Sequence, residues 1–185
     1  MSRIEELAAK YEAHIRVPWA RTLAGSQRVV MVVYDKDLER AFRARKAEFD
    51  QRTRNNDHSW IEFDCTRVFA EWMSTQDDAA AFFEHPEDLT FLVESDFPEF
   101  VAEALRKTLR QSDASGVVAV TGVGALFGFT RISALIEAVD REILGRLVIF
   151  FPGTKEGDRY RLLDAREGWN YLASCVTLNG SGETA

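Results

Sequence analysis

The sequence predicts an α/β fold, a mostly parallel central sheet flanked by helices, from three observations. The length of 185 residues suits one domain, which we place at residues 1–178, followed by a disordered tail at 179–185. Stretches with helical periodicity alternate with apolar segments, and such alternation is typical of a parallel sheet. The apolar segments are rich in β-branched residues and are predicted to be strands: RVVMVVY (28–34), WIEFD (60–64), GVVAVTG (116–122) and RLVIFF (146–151).

The first helices are predicted from their end signals and their apolar spacing. Ser2 and Glu5 form a capping-box pair, which starts a helix near the N-terminus. A second helix follows the first strand, and its thin apolar stripe consists of Leu38, Phe42 and Phe49. Each helix therefore has one face that can pack against the sheet.

Prolines are predicted to interrupt several of the later elements. The helical pieces after the second strand should break near Pro86 and again near Pro98, because proline disfavours the interior of a helix. Pro152-Gly153 should end the fourth strand. Beyond it, residues 159–164 and 171–178 are predicted to form a final pair of strands.

Composition excludes several classes of protein. The two cysteines, Cys65 and Cys175, have no Cys or His at metal-ligand spacing, which excludes a disulfide scaffold and a zinc module. The N-terminal residues are too acidic for a signal peptide, and no apolar run approaches the length of about 18 residues that a membrane span needs. We therefore expect a cytoplasmic protein without membrane contact.

The net charge of −7 is concentrated in the middle of the chain. Residues 68–105 contain many carboxylates and no Lys or Arg, yet they hold too many aromatic residues for a disordered linker. The segment should fold as helices whose apolar side chains, Phe83 and Phe91 among them, face the sheet while the acids face outward. The acids either keep the surface solvated or dock a basic partner. The candidate acidic docking face consists of Glu84, Glu87, Asp88 and Glu94.

The carboxyl ends of parallel strands meet at one edge of the sheet, where ligands of open α/β sheets bind. The loop at 121–131 follows the third strand, but it lacks a Walker lysine, and Phe127 and Phe129 fall where a second glycine could stand. We therefore expect P-loop-NTPase-like or Rossmann-like layering without a Walker A motif, and no bound nucleotide or other cofactor. The candidate recognition surface at this edge, for a protein partner or an anion, consists of Thr121, Gly122, Gly124, Arg131, Pro152, Gly153, Gly157, Arg159 and Arg161.

No catalytic or metal-ligating residue is assigned from the sequence. Asp35, Asp37 and Asp64 fall near the carboxyl edge and have the oxygen ligands that Mg²⁺ prefers, but aspartates there more often cap helices and turns. Cys65 has no identifiable base and is interpreted as a small buried residue. The histidines are isolated from one another and from any nucleophile motif: His14, His58 and His85.

Basic side chains crowd the helix that follows the first strand, from Arg40 to Arg54. Such a cluster is a candidate for weak contact with nucleic-acid phosphates. The same helix also carries Glu39, Glu48 and Asp50, so a solvated helix with internal salt bridges is the favoured interpretation.

Three motifs stand out in the C-terminal third: V-x-x-V-T-G-V-G-A-L-F-x-F-x-R-I-S-x-L-I-E (117–137), L-V-I-F-F-P-G-T-x-x-G-x-x-x-R-L-L (147–163), and Asn170-Tyr171. With these motifs, the chain resembles the BrxB family of BREX bacteriophage-exclusion systems. The resemblance implies a role in anti-phage defence within a complex that contains the PglZ-type protein and other BREX components. It implies no catalytic residues.

Two hypotheses of function follow. The first is a non-catalytic adaptor that binds protein partners of the defence complex. The second is a ligand-sensing or hydrolytic enzyme that uses the carboxylates and glycines at the carboxyl edge of the sheet. The absence of a Walker lysine and of an identifiable base favours the adaptor. A homo-oligomer is compatible with either hypothesis.

Overall fold

A computed structural model describes residues 2–165 and 168–178, and there five parallel strands lie between two layers of helices. The predicted α/β fold with a mostly parallel sheet is thereby confirmed, while the predicted tail lies outside the described residues. The strands are β1 (Val29–Tyr34), β2 (Trp60–Asp64), β3 (Val117–Thr121), β4 (Arg146–Glu156), β5 (Arg159–Leu162), β6 (Trp169–Asn170) and β7 (Ser174–Thr177). The α-helices are α1 (Arg3–Ile15), α2 (Glu39–Asn55), α3 (Val68–Met73), α4 (Ala79–Glu84), α5 (Thr90–Leu109) and α6 (Ile132–Val139).

The parallel strands have the order β2-β3-β4-β1-β7. The central strands β1 and β3 are buried along their whole length, which explains their uninterrupted apolar sequences. All neighbours in this order run parallel, so the carboxyl ends of the five strands point to one edge of the sheet. The loops that follow β1, β2, β3 and β4 therefore meet at that edge.

A separate hydrophobic core covers each face of the sheet. On one face α1 and α2 contribute Tyr11, Phe42 and Phe49, which pack around Phe150 of β4. On the other face the core includes Trp72, Phe97 and the apolar side of α6. The capping box that starts α1 is present, because the Ser2 hydroxyl accepts a hydrogen bond from the Glu5 amide and the Ser2 amide donates to the Glu5 carboxylate.

The predicted helix break at Pro98 is wrong. Helix α5 passes through Pro98 without interruption, and Asp96 does not cap a new helix. Its carboxylate instead accepts a hydrogen bond from the Trp72 indole at 2.8 Å. Phe97 and Val101 are fully buried on either side of the proline, so packing against the core offsets the backbone hydrogen bond that proline cannot make.

The predicted end of β4 at Pro152-Gly153 is also wrong. The strand continues to Glu156, and its second half pairs with β5 in an antiparallel hairpin. The predicted pairing of the last two strands is wrong too, because β7 lies parallel to β1 and does not pair with β5. There Lys10 of α1 donates hydrogen bonds to the carbonyls of Thr177 and Leu178, which ties the end of β7 to the helical layer.

The acidic segment folds as helices, but two of its aromatic residues do not face the sheet. Trp72 and Phe97 are fully buried, as expected, whereas Phe83 is 78% exposed and Phe91 is 75% exposed. The expectation that the apolar side chains of this segment are buried is therefore wrong for Phe83 and Phe91. Helix α4, which carries Phe83, contributes no buried residue to the core.

Candidate functional site

Several residues of the predicted recognition surface lie inside the fold at the carboxyl edge of the sheet. Thr121, Pro152 and Gly153 are buried. The Thr121 hydroxyl donates a 2.7 Å hydrogen bond to Glu62, whose carboxylate also accepts from the Lys46 ammonium at 2.5 Å. The Thr121 hydroxyl, the Glu62 carboxylate and the Lys46 ammonium are thus bonded to one another, so a ligand at this edge has to contact other residues.

The turn after β3 is held tightly against the loop after β2. Gly122 has φ +66°, and a side chain there would place its Cβ 2.8 Å from the Asp64 carboxylate and 2.6 Å from the Thr66 hydroxyl. Only glycine combines this backbone conformation with so close an approach. Gly124 faces the hairpin, where an added Cβ would lie 3.7 Å from the Leu163 side chain. The turn and the hairpin are therefore in contact.

The β4–β5 hairpin carries Gly157, Arg159 and Arg161 of the predicted surface. Its two-residue turn begins at Gly157, which has φ +58° and open space around it. Arg159 is exposed, and Arg161 is partly exposed with its guanidinium 3.8 Å from the Glu156 carboxylate. These arginines are accessible beside the sheet edge.

A cleft of about 620 Å³ opens where the loop after β3 meets the β5 side of the hairpin. Its walls include Phe127, Phe129 and Leu162, with Arg131 and Glu94 as the charged groups. One side of the Phe129 ring stacks on Phe69 with ring centres 4.6 Å apart, although the residue is 36% exposed, while Phe127 is 46% exposed at the rim. The cleft brings Arg131 of the predicted recognition surface together with Glu94 of the acidic docking face.

The acidic docking face, residues Glu84, Glu87, Asp88 and Glu94, is exposed throughout. The exposed Phe83 and Phe91 precede Glu84 and Glu94, respectively, on the same two helices. Among the described residues, the one partner of these carboxylates is His85, whose ring nitrogen lies 3.4 Å from Glu87. The face thus combines exposed aromatic rings with carboxylates that have no Lys or Arg partner among the described residues.

The aspartates considered as Mg²⁺ ligands cap turns. The Asp35 carboxylate accepts the Asp37 amide at 2.9 Å, and Asp64 accepts the amide and hydroxyl of Thr66. Burial favours the neutral acid at Asp64, but the two Thr66 hydrogen bonds and the nearby Lys46 and Arg43 lower its pKa overall. In the described part of the chain, no group of three or more metal-ligating side chains comes together.

Cys65 and His58 occupy structural positions, whereas His85 is exposed. Burial, assisted by the Asp64 charge, raises the pKa of the Cys65 thiol, which opposes formation of a reactive thiolate. The ring of His58 stacks on Trp19 at 3.8 Å, and the Arg146 guanidinium lies 4.6 Å from the centre of the Trp19 rings. This stack sits by the start of β4, away from the cleft.

The basic side chains of α2 are mostly engaged in ion pairs. Arg40 has no ion-pair partner among the described residues. The pairing favours a salt-bridged helix over a surface for phosphates. The ion pairs are Arg43–Glu39, Arg45–Glu5, Lys46–Glu62, Arg52–Glu12, Arg52–Glu48 and Arg54–Asp50.

The cleft and its aromatic rim were not predicted from the sequence. Phe127 and Phe129 attracted attention only because they replace a glycine of the Walker pattern. An aromatic pair in a strand-to-helix loop is itself a signal, because such rings need either a core contact or a partner. Both rings are exposed at the surface, but Phe129 also contacts Phe69 and the buried Phe97, whereas Phe127 has no aromatic contact among the described residues.

The fold and the site together define a class of protein: a three-layer α/β domain with an aromatic, acidic surface beside the carboxyl edge of its sheet. A family model of the BREX protein BrxB matches residues 65–174, which is more than half of the chain and includes every residue that lines the cleft. The chain belongs to the BrxB family and is a component of a BREX anti-phage system, with other BREX components as its implied partners.

The other comparisons add no relative. No curated protein and no solved structure is significantly similar to the chain. Within the described residues, no helix is long and apolar enough to cross a membrane.

Proposed function

We propose that the protein is a non-catalytic adaptor, which binds other BREX components, including the PglZ-type protein, through the acidic docking face. The observation that supports this most is the exposure of Phe83 and Phe91 beside carboxylates that form no ion pair with Lys or Arg among the described residues. Phenylalanine is enriched in protein interfaces, and a contiguous exposed apolar patch marks an interaction site more often than a solvated surface.

The energetic reason is that a partner gains hydrophobic free energy by covering these two rings. Covering a Phe side chain completely contributes about 1.5–3 kcal/mol, and both rings are still largely in water. The surrounding carboxylates contribute mainly to the association rate and to the choice of partner, since charge complementarity steers encounter. Association is therefore expected to slow as the salt concentration rises.

The test is copurification of the tagged protein with the other BREX components from cells that carry the operon. A variant with Glu84, Glu87, Asp88 and Glu94 changed to Gln or Asn should recover less of these components at low salt. The matched control neutralises four exposed acids outside the face: Glu6, Asp37, Glu137 and Asp158.

Both variants change the net charge by four, so only the location of the change differs. Recovery of the BREX components by the control, with loss by the variant of the docking face, is the expected result. Equal recovery by both variants would contradict the assignment of this face. Failure of the wild-type protein to copurify with any BREX component would contradict the adaptor function itself.

A further inference from the structure

The cleft is a partly apolar concavity that shares Glu94 with the acidic docking face. Its volume of about 620 Å³ is within the range of roughly 300–1,000 Å³ in which binding clefts usually fall. Phe127 and Phe129 supply the accessible apolar surface, being 46% and 36% exposed, and the Phe127 ring makes no aromatic contact with the described residues. An apolar side chain that enters from outside would cover this ring.

A further exposed aromatic ring, Phe91, lies outside the cleft, which points to a polypeptide as the occupant. Glu94 lines the cleft, and the exposed Phe91 lies one turn earlier on α5, so the two share a helix face. A small molecule held in the cleft would leave Phe91 in water. An amphipathic helix can cover both, because its apolar residues recur every three to four positions along one side.

The charges around the cleft determine the chemistry of that helix. Glu94 has no ion-pair partner among the described residues, and Glu87 and Asp88 lie one to two turns before it. Arg131 is the one cation among the described residues that line the cleft. On the α5 side of the cleft, by contrast, Glu87, Asp88 and Glu94 have no Lys or Arg partner among the described residues, so an occupant that presents Lys and Arg side chains to that side is favoured.

We infer that the cleft binds a basic amphipathic helix of a partner protein. Its apolar side chains pack against Phe127, Phe129 and Phe91, and its Lys or Arg side chains pair with Glu94, Glu87 and Asp88. This inference rests on the proposed adaptor function and names the kind of segment that the adaptor recognises.

The first experiment identifies the segment by photocrosslinking. A photoreactive phenylalanine analogue replaces Phe127 in the full chain, which is expressed with its operon, and the crosslinked peptides are sequenced by mass spectrometry. The control position is Leu144, an exposed apolar residue just before β4, at the opposite edge of the sheet. The analogue at position 127 should crosslink to a BREX component through a peptide with net positive charge and apolar residues at helical spacing.

The second experiment measures dissociation constants between the purified full chain and the crosslinked component. Phe127→Ser and Glu94→Lys should each raise the dissociation constant about tenfold or more. Arg131→Glu should leave it unchanged or lower it, because the change removes a charge that repels a basic helix. Leu144→Ser is the matched apolar control and should have no effect.

Several results would overturn the inference. These are crosslinks to an acidic peptide, to a second copy of this chain, to nucleic acid, or to nothing, and weaker binding by Arg131→Glu than by Glu94→Lys. Copurification of BREX components by wild type and by Phe127→Ser alike would refute the cleft and leave the adaptor function standing. If the wild type copurifies with none of them, the adaptor function fails first.

Discussion

The exposure of Phe91 can be tested against Phe97, because both side chains lie on α5 and both can be shortened to alanine. Phe97 is fully buried and packs against Trp72, with ring centres 5.3 Å apart, whereas Phe91 is 75% exposed. Full burial of a Phe side chain stabilises a protein by about 1.5–3 kcal/mol. The quarter of Phe91 that is covered therefore contributes roughly 0.4–0.8 kcal/mol.

Phe97→Ala should lower the free energy of unfolding by about 3–5 kcal/mol, since it removes buried surface and leaves a cavity. Phe91→Ala should lower it by less than about 0.8 kcal/mol, and the better helix propensity of alanine offsets roughly 0.5 kcal/mol of that. Urea denaturation followed by circular dichroism measures both. A loss above about 1.5 kcal/mol for Phe91→Ala would refute the reasoning, because it would show that this ring is covered within the protein itself.

Two further predictions concern protonation and backbone conformation. Burial, assisted by Arg146, lowers the pKa of His14, so the folded state favours the neutral ring. Stability should therefore fall as the pH drops below about 6.5, the pKa of the unfolded state. In urea titrations, His14→Gln should reduce the difference in unfolding free energy between pH 7.5 and pH 5, and an unchanged difference would contradict the assignment. Gly122→Ala should destabilise the protein by about 1–2 kcal/mol or more, because φ is +66° and the new Cβ would meet Asp64. Gly157→Asn should cost less than about 1 kcal/mol, because this residue has φ +58° but lies in open space. Equal melting temperatures for these two variants would refute the argument.

Strands β1 and β3 were predictable because they are buried along their whole length. A strand covered on both faces, such as β3, has to be apolar at every position, and this pattern is visible in the sequence alone. The pairing of β7 with β1 was not predictable. It depends on Lys10 and α1, which are distant in sequence from β7, and local patterns contain no record of such contacts.

The predictions of a helix break at Pro98 and of a buried Phe91 were wrong for a related reason. The backbone preference of Pro98 is local, but its cost is offset by the burial of Phe97 and Val101, which only the tertiary structure shows. Likewise, the sequence distinguishes Phe91 from Phe97 by no property of the residue itself. The carboxylates of the acidic segment were predictable as a set, whereas the aromatic residues left beside them at the surface were not.

One aromatic cluster connects the cleft to the core and explains why Phe127 faces outward. Phe129 is held inward by Phe69 and Phe97, at ring-centre distances of 4.6 and 5.8 Å. Between it and Phe127 lies Gly128, whose φ of +81° is a conformation that residues with a side chain rarely adopt. The reversal at Gly128 lets one ring of the pair anchor the loop while the other stays at the rim. The packing of Phe129 thus holds the loop that carries Phe127 in place before a partner binds. Binding therefore costs less conformational entropy.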